Sequence, residues 1–358
     1  MKKLKSIARL IFINLAIFIV LLFSVNLLVG IYLKNSNKKS RADLPNYKDN
    51  REYAREIFKD YNKVQHLYEP FVGWKTRPYK GFTTNINQEG IRKTASVSQI
   101  SDSVRETVRF FGGSTLWGEG SDDSNTIPSL FQKLNSRFTV YNHGQLAYNS
   151  RQNLAALISL YEEGKSSDIV IFYDGVNDAS FLCPSDVEVP GHRLVPMFRK
   201  KLYTSYFNMA KEAIGKLFFE NLILLSKKLN PAERDDMYNC LTSPEKAEAI
   251  ANFMLTNWEI AHDIVTSRGG KFYAVLQPAA YVGNPRTDHL KLGPVLGENF
   301  KTVYELLYKK IQEKQYPWIF DLSKSFDGDD YIFIDFCHVS PEGNQVMANE
   351  IDKKISLE

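Results

Sequence analysis

"DIVIFYDGVND", residues 168–178, is the stretch from which the architecture follows. Ile169 to Tyr173 are all apolar or aromatic, so a strand made of them has no polar face and must be covered on both sides. Ser167 precedes the run and Gly175 ends it. Working outward, the same texture repeats. "TVRFF" (107–111) and "FTVYN" (138–142) come before it, and "KFYAVLQP" (271–278) and "WIFDL" (318–322) after it. Between these lie helical patterns: "IPSLFQKL" (127–134), "RQNLAALISLYEEG" (151–164), the long run from Ser243 to Gly270, and "NFKTVYELLYKKIQEK" (299–314). "PEGNQVMANEIDKKI" (341–355) closes the series, and Pro244 falls at the first position of a helix with Ser243 as its N-cap. Five short apolar strands alternating with helices predict an α/β fold of three layers, α/β/α, around a five-stranded parallel sheet.

Upstream the texture differs. "LIFINLAIFIVLLFSVNLLVGIYL", Leu10 to Leu33, carries no charge and is long enough to cross a bilayer as a helix. No A-x-A cleavage pattern and no cysteine follows it, so it reads as an uncleaved signal anchor. Residues 1–42 hold eight Lys or Arg and no acid, four bases on each side of the apolar run. The remaining residues carry 37 bases against 41 acids, and a short basic tail before an acidic body predicts the body outside the cytoplasm. An acidic body without a basic block excludes nucleic acid as the partner. The expected organisation is a tail and anchor over 1–33, a linker over 34–50, an extension over 51–104, and the α/β domain over 105–358. The extension opens with a helix at "REYAREIF" and continues as two or three short strands. An insertion from about 181 to 242 contains a largely helical run from Arg199 to Leu229. It reads as a helical layer packed on the domain, with a lid or membrane-touching platform as the alternative.

In a doubly wound sheet the working groups gather beyond the carboxyl ends of the strands. There the first strand is followed by Ser114, the second by Gly144, the third by Asn177, and the fifth, one loop on, by Asp335 and His338. Acyl transfer needs that set: a hydroxyl activated by an imidazole, a carboxylate that fixes the imidazole tautomer, and donors for the oxyanion. Gly113 and Gly144 would let backbone N–H groups approach a bound ester. The helix opening after Ser114 would bring a positive dipole end. His143 reads as a loop residue and Asp178 as a support of the Asn177 loop. No Cys/His spacing marks a metal site and no Gly-rich loop a phosphate site, so no cofactor is expected. Of three cysteines, Cys183 and Cys240 either pair across the insertion or stay, with Cys337, as buried thiols.

These four blocks resemble the SGNH hydrolases, the superfamily of the GDSL esterases and lipases, over roughly residues 105–355. The resemblance implies a flavodoxin-like fold. It also implies Ser114 as nucleophile, His338 and Asp335 as its relay, and Ser114, Gly144 and Asn177 as the oxyanion hole. The familiar G-D-S-L is here Gly112-Gly113-Ser114-Thr115, so the acid before the serine is missing. With the anchor, the resemblance implies an esterase acting on O-acyl, chiefly O-acetyl, groups of an envelope glycan or related saccharide. The same residues would serve an O-acyltransferase with a sugar hydroxyl as acceptor. A reading of another class is a non-catalytic envelope protein that binds glycan.

Overall fold

The computed structural model describes residues 2–36, 40–95, 105–229 and 237–356. Helix α1 (Lys2–Ser36) is a single element of 35 residues, and its segment Lys5–Lys34 is long and apolar enough to cross a membrane. Two short 3-10 turns, Arg41–Asp43 and Pro45–Tyr47, lead into α2 (Arg51–Tyr61). Two antiparallel hairpins follow, β1 (His66–Glu69) with β2 (Gly73–Thr76) and β3 (Tyr79–Lys80) with β4 (Asn85–Ile86). The extension therefore holds four short strands where the sequence suggests two or three. Two-residue strands are too short to carry a period-two signal.

From Glu106 the chain alternates. In order come β5 (Glu106–Gly112), α3 (Ser114–Trp117), α4 (Ile127–Leu134), β6 (Phe138–Asn142), α5 (Ser150–Glu162), β7 (Ile169–Asp174) and α6 (Val176–Leu182). The inserted helices α7 (Val195–Tyr203) and α8 (Tyr206–Leu229) follow. The chain then runs through α9 (Pro244–Thr266), β8 (Lys271–Leu276), α10 (Pro294–Lys314), β9 (Ile319–Asp321) and α11 (Pro341–Ser356). The sheet order is β6-β5-β7-β8-β9 and every pairing is parallel. Strand order reverses between β5 and β7, which makes their carboxyl ends the switch point where such sheets bind ligands.

All six residues of β7 are buried, and the reason is visible in its neighbours. Val170 and Phe172 pack into a core with residues of α5, α6, α9 and α10, while Ile169, Ile171 and Tyr173 pack into a second core with α4 and α11. Helices on both faces thus account for the unbroken apolar run.

The chain divides into two compact units, Met1–Ser40 with Pro196–Arg234, and Arg41–Val195 with Asp235–Glu358. In the first, α8 packs on α1, and no residue of α8 is fully buried. The contact has a physical cause. Asn26 is a buried polar residue in a run of apolar ones. Its side-chain amide donates to Leu217 O at 3.0 Å, and Asn221 donates from N and Nδ2 to Asn26 Oδ1 and O, both at 3.0 Å. Within this unit the inserted helix α8 is thus partnered by the N-terminal helix α1. Within the second unit a Cys183–Cys240 disulfide closes the base of the insertion, and Cys337 is a buried free thiol.

Candidate active site

Ser114 opens the single turn α3 directly after β5, and His338 Nε2 lies 2.7 Å from its Oγ. On the other side of the ring, Nδ1 lies 2.8 Å from Asp335 Oδ2 and 3.0 Å from Oδ1. The spacing of three between Asp335 and His338 is explained locally. Asp335 Oδ1 accepts from the backbone N–H of Cys337 (3.0 Å) and of His338 (2.8 Å), so the carboxylate folds its own loop and presents the ring. The loop is tied down by Ile334 N–H donating to His338 O and Ala280 N–H donating to Phe336 O, each at 2.8 Å.

Asn177 comes in from α6 after β7. Its Nδ2 donates to Tyr148 O at 2.6 Å, which fixes the amide and leaves one hydrogen unspent. A Cβ on residue 113 would sit 2.3 Å from Asn177 Nδ2, and one on residue 144 would sit 2.6 Å from Trp117 N. Glycine at 113 and 144 therefore makes room for neighbouring protein groups, a nearer reason than the approach of an ester. Gly144 N–H donates to Asn142 Oδ1 at 3.0 Å, so this donor is already engaged. Asp178 accepts from Ser150 N at 3.0 Å and Oγ at 2.6 Å, joining the start of α6 to the start of α5. Burial pushes Asp178 up to about 6, against the bonds from Ser150. Burial and then Asp178 raise Asp174, which accepts from Asn153 and Trp258.

Three residues at the site carry no signal in the sequence motifs. Glu119 lies on the loop after α3, and its Oε2 is 3.1 Å from His338 Nε2. Arg41, from the segment that reads as a featureless basic linker, places Nη1 2.7 Å from Glu119 Oε1 and 3.2 Å from Asp335 Oδ2. Its guanidinium also sits over the rings of Phe58 and Tyr61, at 4.7 and 5.6 Å from their centroids. Tyr61 hydrogen-bonds Glu119 as well. No spacing rule links residue 41 to residues 119 and 335; only the fold does.

The charges follow from these contacts. Burial alone would raise Glu119, yet His338, Arg41 and Tyr61 outweigh it and bring it down to about 2. Asp335 is likewise lowered well below the carboxylate range, chiefly by His338 and the N–H groups of its own loop, against burial. Burial would lower His338, while Cys337, if ionised, and then Asp335 and Glu119 raise it. Burial pushes the Cys337 thiol up to about 12, so it is neutral over the working range and the two carboxylates hold the proton. The donor atoms of Asp335, Cys337 and His338 lie within 4.8 Å of one another. A neutral thiol and a ring nitrogen committed to Asp335 suit a proton relay better than a metal. His143 is 3.0 Å from Arg109 Nη1 and stacks on Phe111. Burial and then Arg109 lower it to about 3, so it stays neutral beside the sheet.

The chain is thus an α/β domain with a parallel sheet of this order and a hydrogen-bonded serine, histidine and aspartate line at its switch point. Its sheet, in the order β6-β5-β7-β8-β9, is parallel throughout and covered by helices on both faces. Among solved structures the chain is similar to a carbohydrate acetylesterase, Est24, from Sinorhizobium meliloti, at 13% identity and TM-score 0.39, covering 71% of this chain and 99% of that one. It is also similar to a member of the lipolytic protein G-D-S-L family from Veillonella parvula, at 10% identity and TM-score 0.39, covering 69% and 96%. An α/β hydrolase, LAE5, from the metagenome of Lake Arreo matches at 13% identity and TM-score 0.38, covering 70% and 95%. A scan against protein-family models and a search of curated proteins give no match.

Proposed function

We propose that this chain is a membrane-anchored serine esterase that cleaves O-acyl esters through Ser114, His338 and Asp335. The observation that carries the reading is the unbroken line from Ser114 Oγ to His338 Nε2 (2.7 Å) and from His338 Nδ1 to Asp335 Oδ2 (2.8 Å). In the first half-reaction His338 Nε2 takes the Ser114 proton as Oγ attacks the acyl carbon. The oxyanion accepts from Ser114 N–H and from the free hydrogen of the Asn177 amide. Gly144 N–H joins them when it exchanges Asn142 for the oxyanion. Collapse of the tetrahedral adduct breaks the ester C–O bond, and the leaving alkoxide takes the proton from His338. In the second half-reaction a hydroxyl attacks acyl-Ser114 and passes its proton to His338, and collapse returns that proton to Ser114 Oγ. Water as acceptor makes an esterase, and a sugar hydroxyl makes a transferase.

The apolar span within α1 supports an anchor, and an acidic body outside the cytoplasm would meet acylated saccharides of the cell envelope, O-acetyl groups above all. The test is turnover of short-chain p-nitrophenyl esters by the full chain in detergent, with and without an oligosaccharide acceptor. Ser114→Ala is expected to abolish turnover while the circular dichroism spectrum stays unchanged. Wild-type rates in folded Ser114→Ala protein would remove the assignment. Acyl-oligosaccharide formed at the expense of free acid would make the transferase the better description.

A further inference from the structure

We infer that Glu119, held by Arg41, is a second carboxylate on His338, a positioning residue that keeps the Nε2 proton in place and sets the pH above which the ring acts as a base. The inference rests on reading Ser114, His338 and Asp335 as an acyl-transfer relay.

The geometry makes the case. One ring nitrogen faces Asp335 at 2.8 Å, and the other faces both Ser114 Oγ at 2.7 Å and Glu119 Oε2 at 3.1 Å. A carboxylate that close to a bare imidazole lone pair would be repelled by it, whereas the same carboxylate beside Nε2–H accepts a charge-assisted bond. Glu119 is 6% exposed and His338 12%, so water screens neither. Glu119 is also held rather than resting there by chance. Arg41 Nη1 grips its other oxygen at 2.7 Å, Tyr61 bonds it, and its own N–H donates to Ser114 O at 3.0 Å. The same N–H bond ties the loop carrying Glu119 to the nucleophile's own turn.

Among the described residues, the groups that face the ring can be named. Asp335 and the neutral Cys337 belong to its own loop. Ser114 and Glu119 come from the turn after β5, and Arg41 from the first 3-10 turn. Tyr47 and Tyr61 lie near enough to feel the ring's charge. Two carboxylates and one guanidinium therefore decide its protonation. Glu119 favours the imidazolium both at rest and after the ring has taken the Ser114 proton. It should therefore raise the acid limb of the rate profile and also raise the plateau above that limb. Arg41, lying against both carboxylates, works the other way and limits the rise.

The experiment follows kcat/KM against pH for the full chain and its Glu119→Gln and Arg41→Gln variants, using p-nitrophenyl acetate. In parallel, the 15N shifts of the histidine-labelled chain are titrated, with the His338 signal identified by its loss in His338→Gln. The wild-type acid limb is expected above pH 6.5. In Glu119→Gln it should move down by about one pH unit, and plateau kcat should fall about tenfold with KM little changed. In Arg41→Gln the limb should move up. A purely structural role would lower both rates without shifting the limbs in opposite directions. A His338 15N titration that stays at the wild-type pH in Glu119→Gln overturns the inference whatever the activity. Ring titrations that move as stated in a chain without ester turnover uphold the two-carboxylate arrangement and remove the esterase reading instead. If Glu119→Gln does not fold, the Arg41→Gln titration decides: an upward move supports the inference and no move overturns it.

Discussion

Asn177 has two amide hydrogens, and Tyr148 O takes one of them at 2.6 Å. That bond fixes the orientation of the other before any substrate arrives, the condition under which an oxyanion donor is worth most. Asn177→Ala is expected to lower kcat about a hundredfold with KM nearly constant, measured on p-nitrophenyl acetate in protein whose thermal midpoint is unchanged. A loss of less than about tenfold would shift the oxyanion to the backbone donors. The same logic separates the two glycines from the polar residues. Gly113 and Gly144 act by what they leave out, since a methyl group at either position would strike Asn177 or the backbone of Trp117.

At the scale of elements, the site depends on turns being held by partners distant in sequence. Arg92 is fully buried. It donates to the carbonyls of Trp117, Gly118 and Ser121, pairs with Asp123 at 2.9 Å and lies over the Trp117 ring. The loop carrying Glu119 is thereby clamped by a residue of the extension. On the opposite flank, α6 carries Asn177 at its start and is capped by Cys183, whose disulfide to Cys240 closes the insertion. Beside it Ser185 N–H donates to Met237 O and Asn239 N–H to Cys183 O, making a short second tie. With a sequence separation of 57, the bridge removes about 4 kcal/mol of chain entropy from the unfolded state. The Cys183→Ser, Cys240→Ser double variant should therefore melt several degrees lower in non-reducing calorimetry. Reductant should lower the wild type and leave the variant unmoved. Equal midpoints for the two proteins would mean that the backbone tie alone holds the base.

On the scale of the whole molecule, the question is where the α/β unit works. The span in α1 with four bases on either side gives a balanced charge signal, and on the proposed reading the acidic body would tip the orientation outward. A phosphatase reporter that folds only outside the cytoplasm, fused after Glu358 of the full chain, is expected to be active. The chain should stay with the membrane pellet after carbonate washing. An active cytoplasmic reporter in the same position would reverse the orientation and take the envelope glycan with it. The pairing of Asn26 with Asn221 also means that α1 is not a bare helix, since a polar pair inside an apolar run specifies which helix lies beside it.

Much of this chain was legible without coordinates, for identifiable reasons. An unbroken apolar run such as Ile169–Tyr173 has only one way to be buried, between two helical layers. Five such runs separated by helices dictate a parallel sheet, whose carboxyl edge then receives Ser114, Asn177, Asp335 and His338. The Asp335–His338 pair was legible as neighbours because its carboxylate folds its own four-residue loop, a local interaction that leaves a fixed spacing. What the sequence could not reveal are contacts that have no period and no spacing. Arg41 reaches residues 119 and 335, Arg92 reaches the loop after Ser114, and α8 finds α1 through a pair of amides. A charged side chain in an aperiodic segment looks like a solvated linker until the fold brings two carboxylates beside it. Tertiary structure alone decided those contacts, because burial and charge pairing depend on distance in space, which residue order does not encode locally.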